Sequence, residues 1–464
     1  MLQIVKRIVA KKDAYIESEK KRGNNGEYID KIISCHDYTR VITTNIDTLN
    51  TLKNKLSSFF KHINTKSCSL EVPSSVIDDI MIVDKNEPIN YNKYYDMTDT
   101  ITVAIPDKQY LTDIALSIKR LTDVLSEELK GNNCKMYEMA GYIGNLLSPH
   151  VPDTDAETFY VYDNKTGIDY NHDICHSDIM ELLGLKWGPA VSQIAGNRAY
   201  VLTQHIFMLK HALMNYTIDF ASKKGYSMMN VPVFMNHDSM QKVCQLSDFE
   251  ETLYEISDKS KKDDTSKFYL TATSEQFLVA YHSNKKLNKN DLPLKYCAHN
   301  ECFRKETGRH GKDTSGIFRI HQFDKFEQFI VCDPNESHTE LHKLLEIIKE
   351  FYESLGLSFK IIAMDARDLN QSTSIKYDLE AYFPYSKSYK ELVSCSNCTD
   401  YQAIKVDCKA GNNYVHMLNC TLCAVQRTLC CICETYWDNN NRTLTIPEVL
   451  KPFMNTKENY LSPI

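Results

Sequence analysis

From Tyr28 to about Asn64 the apolar residues Ile42, Ile46, Leu49, Leu52, Leu56, Phe60 and Ile63 recur at three- and four-residue steps. That period predicts a helix with one apolar stripe. A second stripe runs from Asp107 to Leu147 through Leu111, Ile114, Ile118, Leu121, Leu125 and Leu129, then Met136, Met139, Ile143 and Leu146. Gly131 interrupts it, and Pro149 and Pro152 end it. Each helix, at about forty residues, would be about 60 Å long. Two such stripes pack most simply on each other as an antiparallel coiled coil, with a helix pair inside a globular bundle as the alternative. Residues 1–26 read as a lead-in broken at Gly23–Gly26, and residues 67–106, with Pro73, Pro88 and Pro106, read as irregular.

From about Ala156 the apolar runs shorten and Tyr, Phe and Gly become frequent. Val201–Lys223 predicts a largely apolar helix ended by Gly225, and Val231–Phe234 an edge strand, because of Pro232. Asp258–Lys267 reads as a solvated loop. A strand at Phe268–Ala272 leads into Thr273-Ser274-Glu275, and Ser337–Leu355 is an amphipathic helix closed by Gly356. Strands follow at Phe359–Met364 and from Asp378 to Pro384. The periods separate a helical arm, residues 1–155, from an α+β body, residues 156–464.

The densest chemistry lies in Glu301–Val331, two predicted antiparallel strands flanking a loop marked by Gly308, Gly311 and Gly316. Alternation puts Arg304 with Glu306, and Arg319, His321 and Phe323 in one row with Lys325 and Glu327. Arginine forks bind phosphate, a phenyl ring stacks on a base and a carboxylate holds an ammonium.

The chain has 464 residues, 42% hydrophobic and 25% charged, ordinary for a globular protein of two or three domains. Its net charge of -7 excludes a polycation, so nucleic-acid contact would need local basic patches. No secretory signal or membrane-length apolar run is visible. With 16 cysteines this predicts reduced thiols in the cytosol.

The order F-R-x-E-x-G, then F-R-I-H-Q-F-x-K-x-E-Q-F, resembles motif 2 of the class II aminoacyl-tRNA synthetases, and the seryl-tRNA synthetase family in particular. His176–Leu185 resembles the opening of that family's catalytic domain; the helix, strand and Pro at 201–234 resemble motif 1, its dimerisation element. His416–Arg427 resembles motif 3. The resemblance implies a catalytic domain with a central antiparallel β-sheet flanked by helices, plus a long N-terminal antiparallel helical hairpin. It implies serine activation with ATP to seryl-adenylate, transfer to tRNA(Ser), a homodimer and no membrane. Arg304 and Arg427 would be catalytic. Thr273, Ser274, Glu275, Arg304, Glu327, Asn419 and Thr421 would hold serine. Arg304, Lys305, Glu306, Arg319, Ile320, His321, Gln322, Phe323, Glu391, Leu392, Val393, Ser394 and Arg427 would bind ATP, with Phe323 and Arg427 sandwiching adenine. Glu391 and Ser394 would hold Mg²⁺. The arm would contact tRNA backbone through Arg40, Lys53, Lys55, Lys61, Lys119 and Arg120. The chain departs from the family at Ser315, at Ile404-Lys405 and at Thr203-Gln204, where Lys-Gly is common.

Cys395-x-x-Cys398 and Cys420-x-x-Cys423 offer a rival, a zinc-ribbon nucleic-acid-binding module. A strand would point the two thiols of each pair to opposite faces, so no zinc is expected. The other rivals are a ligase loading a carrier protein, which would lack the arm, and an inactive synthetase paralogue. The intact Arg304, Glu327 and Arg427 oppose the latter.

Overall fold

The computed structural model describes residues 2–59, 68–73, 100–105, 108–164, 173–244, 251–257, 267–307 and 316–464. The described chain divides into two compact units, residues 1–16 with 25–143, and residues 17–24 with 144–464.

In the first unit α1 (Leu2–Ala10) buries Ile4, Val5 and Ile8. Next come α2 (Lys12–Lys21), of which only residues 12–16 belong to this unit, and α3 (Glu27–Phe59). The lead-in is thus mostly helical. Strands β1 (Cys68–Pro73) and β2 (Thr100–Ile105) form an antiparallel ribbon inside the stretch expected to be irregular. The alternation in T-I-T-V-A-I was the signal for it. α4 (Lys108–Gly141) runs through Gly131 and stops before the expected Leu147.

α3 and α4 pack antiparallel. Tyr28 stacks on Tyr142, and Asn132 donates to Cys35 O at 2.8 Å. Ile42, Leu49, Leu52 and Leu56 are buried, as are Ile114, Ile118, Leu121 and Leu125. Ile46 and Leu129 are only half-buried. Arg40, Lys53, Lys55, Lys119 and Arg120 are exposed; Phe60, Ile63 and Lys61 lie outside the described residues, as does Leu111's side chain.

The second unit is built on an eight-stranded sheet. Its strands are β3 (Glu157–Tyr162), β4 (Ser227–Asn230), β5 (Leu294–Phe303), β6 (Gln322–Cys332), β7 (Phe359–Ala363), β8 (Ile375–Phe383), β9 (Ser388–Asn397) and β10 (His416–Ala424). The spatial order is β3-β7-β8-β9-β10-β6-β5-β4, antiparallel throughout except for the β5–β4 pair. The α+β expectation holds. Motif 1 differs in detail. Beyond α5 (His176–Leu182), the helix α6 (Gln204–Lys223) is as expected, but β4 ends at Asn230 and the next strand starts at Phe234. Pro232 lacks the N–H that would have joined them.

Two further helices are α7 (Ser274–Tyr281) and α8 (Ser337–Ser354). α8 lies on β9 and β10, where Leu341, Leu344, Leu345 and Ile348 share a core with Val393, Cys395, Leu418 and Cys420. The alternate residues Ser394, Ser396, Asn419 and Thr421 line a cavity. This is the period-two rule at work: one face of these strands is core and the other is site.

Candidate active site

The cavity has a volume of about 580 Å³ and lies in the second unit. Its walls alternate carboxylates with cations.

Glu327 sits on β6, almost fully buried. It is ion-paired with Lys325, and the Thr273 hydroxyl donates to it at 3.4 Å. Thr273 also caps α7, its hydroxyl accepting from Glu275 N at 3.3 Å, so the cap fixes where Glu275 points. Glu275 Oε1 accepts from Gln402 Nε2 at 2.6 Å and Asn419 Nδ2 at 2.9 Å. Ser274 is fully buried and does not line the cavity, because the second residue of the triplet turns into the core.

Arg304 and Glu306 lie just past the end of β5 and not on it. Arg304 Nε donates to Ala272 O at 3.3 Å, and the guanidinium lies 5.3 Å from the centroid of Phe323. Glu306 has a left-handed φ of 52° and accepts from Arg319 Nη1 at 2.9 Å. Arg319 likewise precedes β6. The row expected from alternation therefore breaks up. His321 turns away, its Nδ1 2.9 Å from Arg304 O, and Gln322 donates to Glu301 at the strand edge.

The final helix, α9 (Val425–Tyr436), carries Arg427 in its first turn. Arg427 donates to Glu391 O at 3.0 Å and lies 4.9 Å from the centroid of Phe318, an aromatic that the sequence reading passed over. Phe323, Ile320 and Arg427 line a side pocket of about 30 Å³ together with Phe318. Burial lowers the Arg427 pKa, with Glu391 opposing that pull. Burial also pushes Glu391 upward, but Arg427, Lys376, Arg304 and Lys325 outweigh it and hold the carboxyl below its ordinary range.

Among the expected site residues, the main cavity gathers Thr273, Glu275, Arg304, Glu306, Arg319, Glu327, Glu391, Leu392, Ser394, Asn419, Thr421 and Arg427. Lys305, His321, Gln322 and Val393 line neither pocket; Val393 faces the core, and Lys305 N donates to Thr252 O. Lys376, Gln402 and the Asp368–Ser372 wall also line the cavity, with no expectation from the sequence. Gln402 stands two residues before the Ile404-Lys405 departure, in Asp400-Tyr401-Gln402-Ala403.

Cys420 and Cys423 both lie in the main core, so the opposite-face argument fails for them. Among the described residues no three His, Cys, Asp or Glu side chains converge as a metal set.

The tRNA synthetase class II core domain (G, H, P, S and T) family matches residues 254–436. A serine–tRNA ligase of Methanosphaera stadtmanae is 36% identical over 455 residues, covering 95% of each chain. The cytoplasmic serine–tRNA ligase of Rattus norvegicus is 34% identical over 461 residues, covering 94% of this chain and 86% of the relative. The crystal structure of the cytoplasmic enzyme of Naegleria fowleri in complex with AMP superposes with a TM-score of 0.78 at 32% identity, covering 97% of this chain and 95% of that one. Identity of this order along nearly the whole length carries one conclusion: this chain belongs to the serine–tRNA ligase family.

Proposed function

We propose that the cavity activates L-serine with ATP, releasing pyrophosphate, and that the chain then passes the seryl group to the 3′ end of tRNA(Ser). The observation that carries this is the pairing inside one cavity of a buried carboxylate, Glu327, with guanidinium groups at Arg304, Arg319 and Arg427. Glu327 holds the serine ammonium. Glu275, Asn419 and Thr421 present polar atoms to its hydroxyl, so alanine would leave them unpaired.

Both reactants are anionic, and aligning and neutralising them is most of the task. Arg304 bridges the serine carboxylate and the α-phosphate. The carboxylate is already ionised, attacks the α-phosphorus in line and needs no side-chain base. Arg319 and Arg427 take the phosphates that leave, while Phe323 and Arg427 flank adenine and Glu306 accepts from its amino group. Glu391, kept ionised by its cationic neighbours, and the Ser394 hydroxyl are hard oxygen donors that fit Mg²⁺. Mg²⁺ there would neutralise phosphate charge.

We assign the tRNA-binding arm to residues 1–155 and the catalytic domain to residues 156–464. Exposed Arg40, Lys53, Lys55, Lys119 and Arg120 serve as backbone contacts on the arm. A homodimer and a cytoplasmic location complete the proposal. Among the described residues no helix is long and apolar enough to cross a membrane.

The test is amino-acid-dependent exchange of pyrophosphate into ATP with serine, threonine, alanine and glycine. Serine-selective exchange, reduced on the order of 10²-fold in kcat/KM by Glu327→Ala, is the expected result. No exchange with any amino acid in folded protein would refute the reading.

A further inference from the structure

Arg22 stands at the end of the lead-in, in the short stretch 17–24 that belongs to the second unit. Its guanidinium donates to the carbonyls of Leu369 (3.3 Å), Asn370 (3.0 Å) and Thr373 (2.6 Å), and to Asn145 O (3.1 Å). Asn145 fills the gap: its N–H donates to Gln371 O at 2.7 Å and its Nδ2 to Ser372 O at 2.9 Å. Five consecutive carbonyls, from Leu369 to Thr373, thus take hydrogen bonds from these two residues. A planar fork of fixed donors suits such a ring of carbonyls; a lysine's point charge does not.

The same loop forms a wall of the cavity through Asn370, Gln371 and Ser372. From it the contacts lead to the amino-acid end. Asn145 Nδ2 donates to Cys398 O at 2.8 Å, and the Cys398 thiol lies 3.6 Å from both Ser372 Oγ and Asn419 Nδ2. Asn419 holds Glu275. Gly144 makes room for the clamp. A Cβ there would lie 2.8 Å from Arg22 Nε and 3.1 Å from Glu19 Oε1, and Glu19 accepts from Gly144 N at 2.9 Å.

We propose that Arg22 is a positioning residue for the amino-acid end of the cavity, acting with Asn145 through the Leu369–Thr373 loop. Arg22 lies in the 17–24 stretch and Asn145 at the start of the 144–464 stretch, so the two chain segments that make up the second unit meet at one active-site wall. The proposal rests on the serine-activation reading above.

The experiment is serine-dependent pyrophosphate exchange by the full-length protein, with serine and ATP titrated separately. Arg22→Ala and Gly144→Ala should each raise the serine KM on the order of tenfold while the ATP KM moves by less than about twofold. Arg22→Lys should fall between them and the parent. Added guanidinium ion should restore the serine KM of Arg22→Ala, where it can refill the ring, but not that of Gly144→Ala. Should Arg22→Ala fail to fold, Gly144→Ala and Arg22→Lys carry the same comparison. An unchanged serine KM in folded variants, or an equal rise in both KM values, overturns the proposal. Absence of serine-dependent exchange in the parent protein overturns instead the reading it rests on.

Discussion

Asp324 ties four elements together. On β6, between Phe323 and Lys325, it accepts from Lys210 of α6 at 2.7 Å and from Gln426 of α9 at 2.8 Å; His299 Nε2 of β5 lies 3.1 Å away. Its own N–H donates back to Gln426 Oε1 at 2.9 Å. Burial alone would raise the Asp324 pKa, but His299, Lys210 and Gln426 pull it down to about 2, from 3.8 in the unfolded chain. That difference corresponds to about 2 kcal/mol favouring the folded state. A depressed carboxyl contributes this fully above about pH 4 and loses it as the pH falls towards 2. Asp324→Asn keeps the shape and one acceptor oxygen but removes the charge, so its expected cost at pH 7.5 is about 2 kcal/mol. Both variants leave the half-buried Lys210 ammonium without its anion, but Asp324→Ala also takes away the oxygens that Gln426 and His299 use and should cost about 3–5 kcal/mol. Urea titration followed by tryptophan fluorescence measures both. Variants as stable as the parent at pH 7.5, or an Asn variant as damaged as the Ala variant, would refute the reasoning. Because Gln426 precedes Arg427, the Ala variant should also lose exchange activity under conditions where it is folded.

Gln204 holds a left-handed φ of 47°, a backbone region that favours glycine. Gln204→Gly should relieve that strain and, after the added chain entropy, raise stability by about 0.5 kcal/mol, read as a higher urea midpoint. Gly356, at φ 67°, closes α8, and a Cβ there would lie 2.2 Å from the Tyr436 hydroxyl, which donates to Leu355 O at 2.8 Å. Gly356→Ala should therefore cost about 2–4 kcal/mol. Adding Tyr436→Phe should recover part of that loss, and strict additivity in the double variant would count against the clash.

The arm and the body were legible because their apolar periods differ: stripes at three and four in α3 and α4, alternation in β6, β8 and β10. Glu327, Asn419 and Arg427 were legible because each sits in a long ordered run of residue types. Arg22 was invisible for the opposite reason. It lies among Glu-Lys-Lys-Arg at the end of a polar helix, and nothing local marks it as the donor to a loop nearly 350 positions away. Ser274 was misread because a capping triplet has only two side chains free to face a cavity once the helix turns. Phe318 was overlooked because Phe323, in the more specific run, fitted the same role.

Alternation also hid the feature that assembles the two walls. Glu391 and Ser394 are three residues apart, as are Thr421 and Ala424, so in regular strands the members of each pair would face opposite ways. All four line the cavity. The ladder shows why. Between β8 and β9, Leu379 pairs with Val393 but Glu380 pairs with Glu391, leaving Leu392 as an extra residue. Between β6 and β10, Phe326 pairs with Cys423 but Glu327 pairs with Thr421, leaving Leu422 extra. Each bulge resets the parity of its strand by one. The first brings a carboxylate and a hydroxyl onto one face. The second keeps Thr421 beside Glu327 while delivering the chain into α9 with Arg427 at the cavity rim. The same shift puts Cys420 and Cys423 in one core, which is why the opposite-face argument failed there. A single residue inserted in each of two strands thus turns a one-sided row of polar residues into a three-dimensional site.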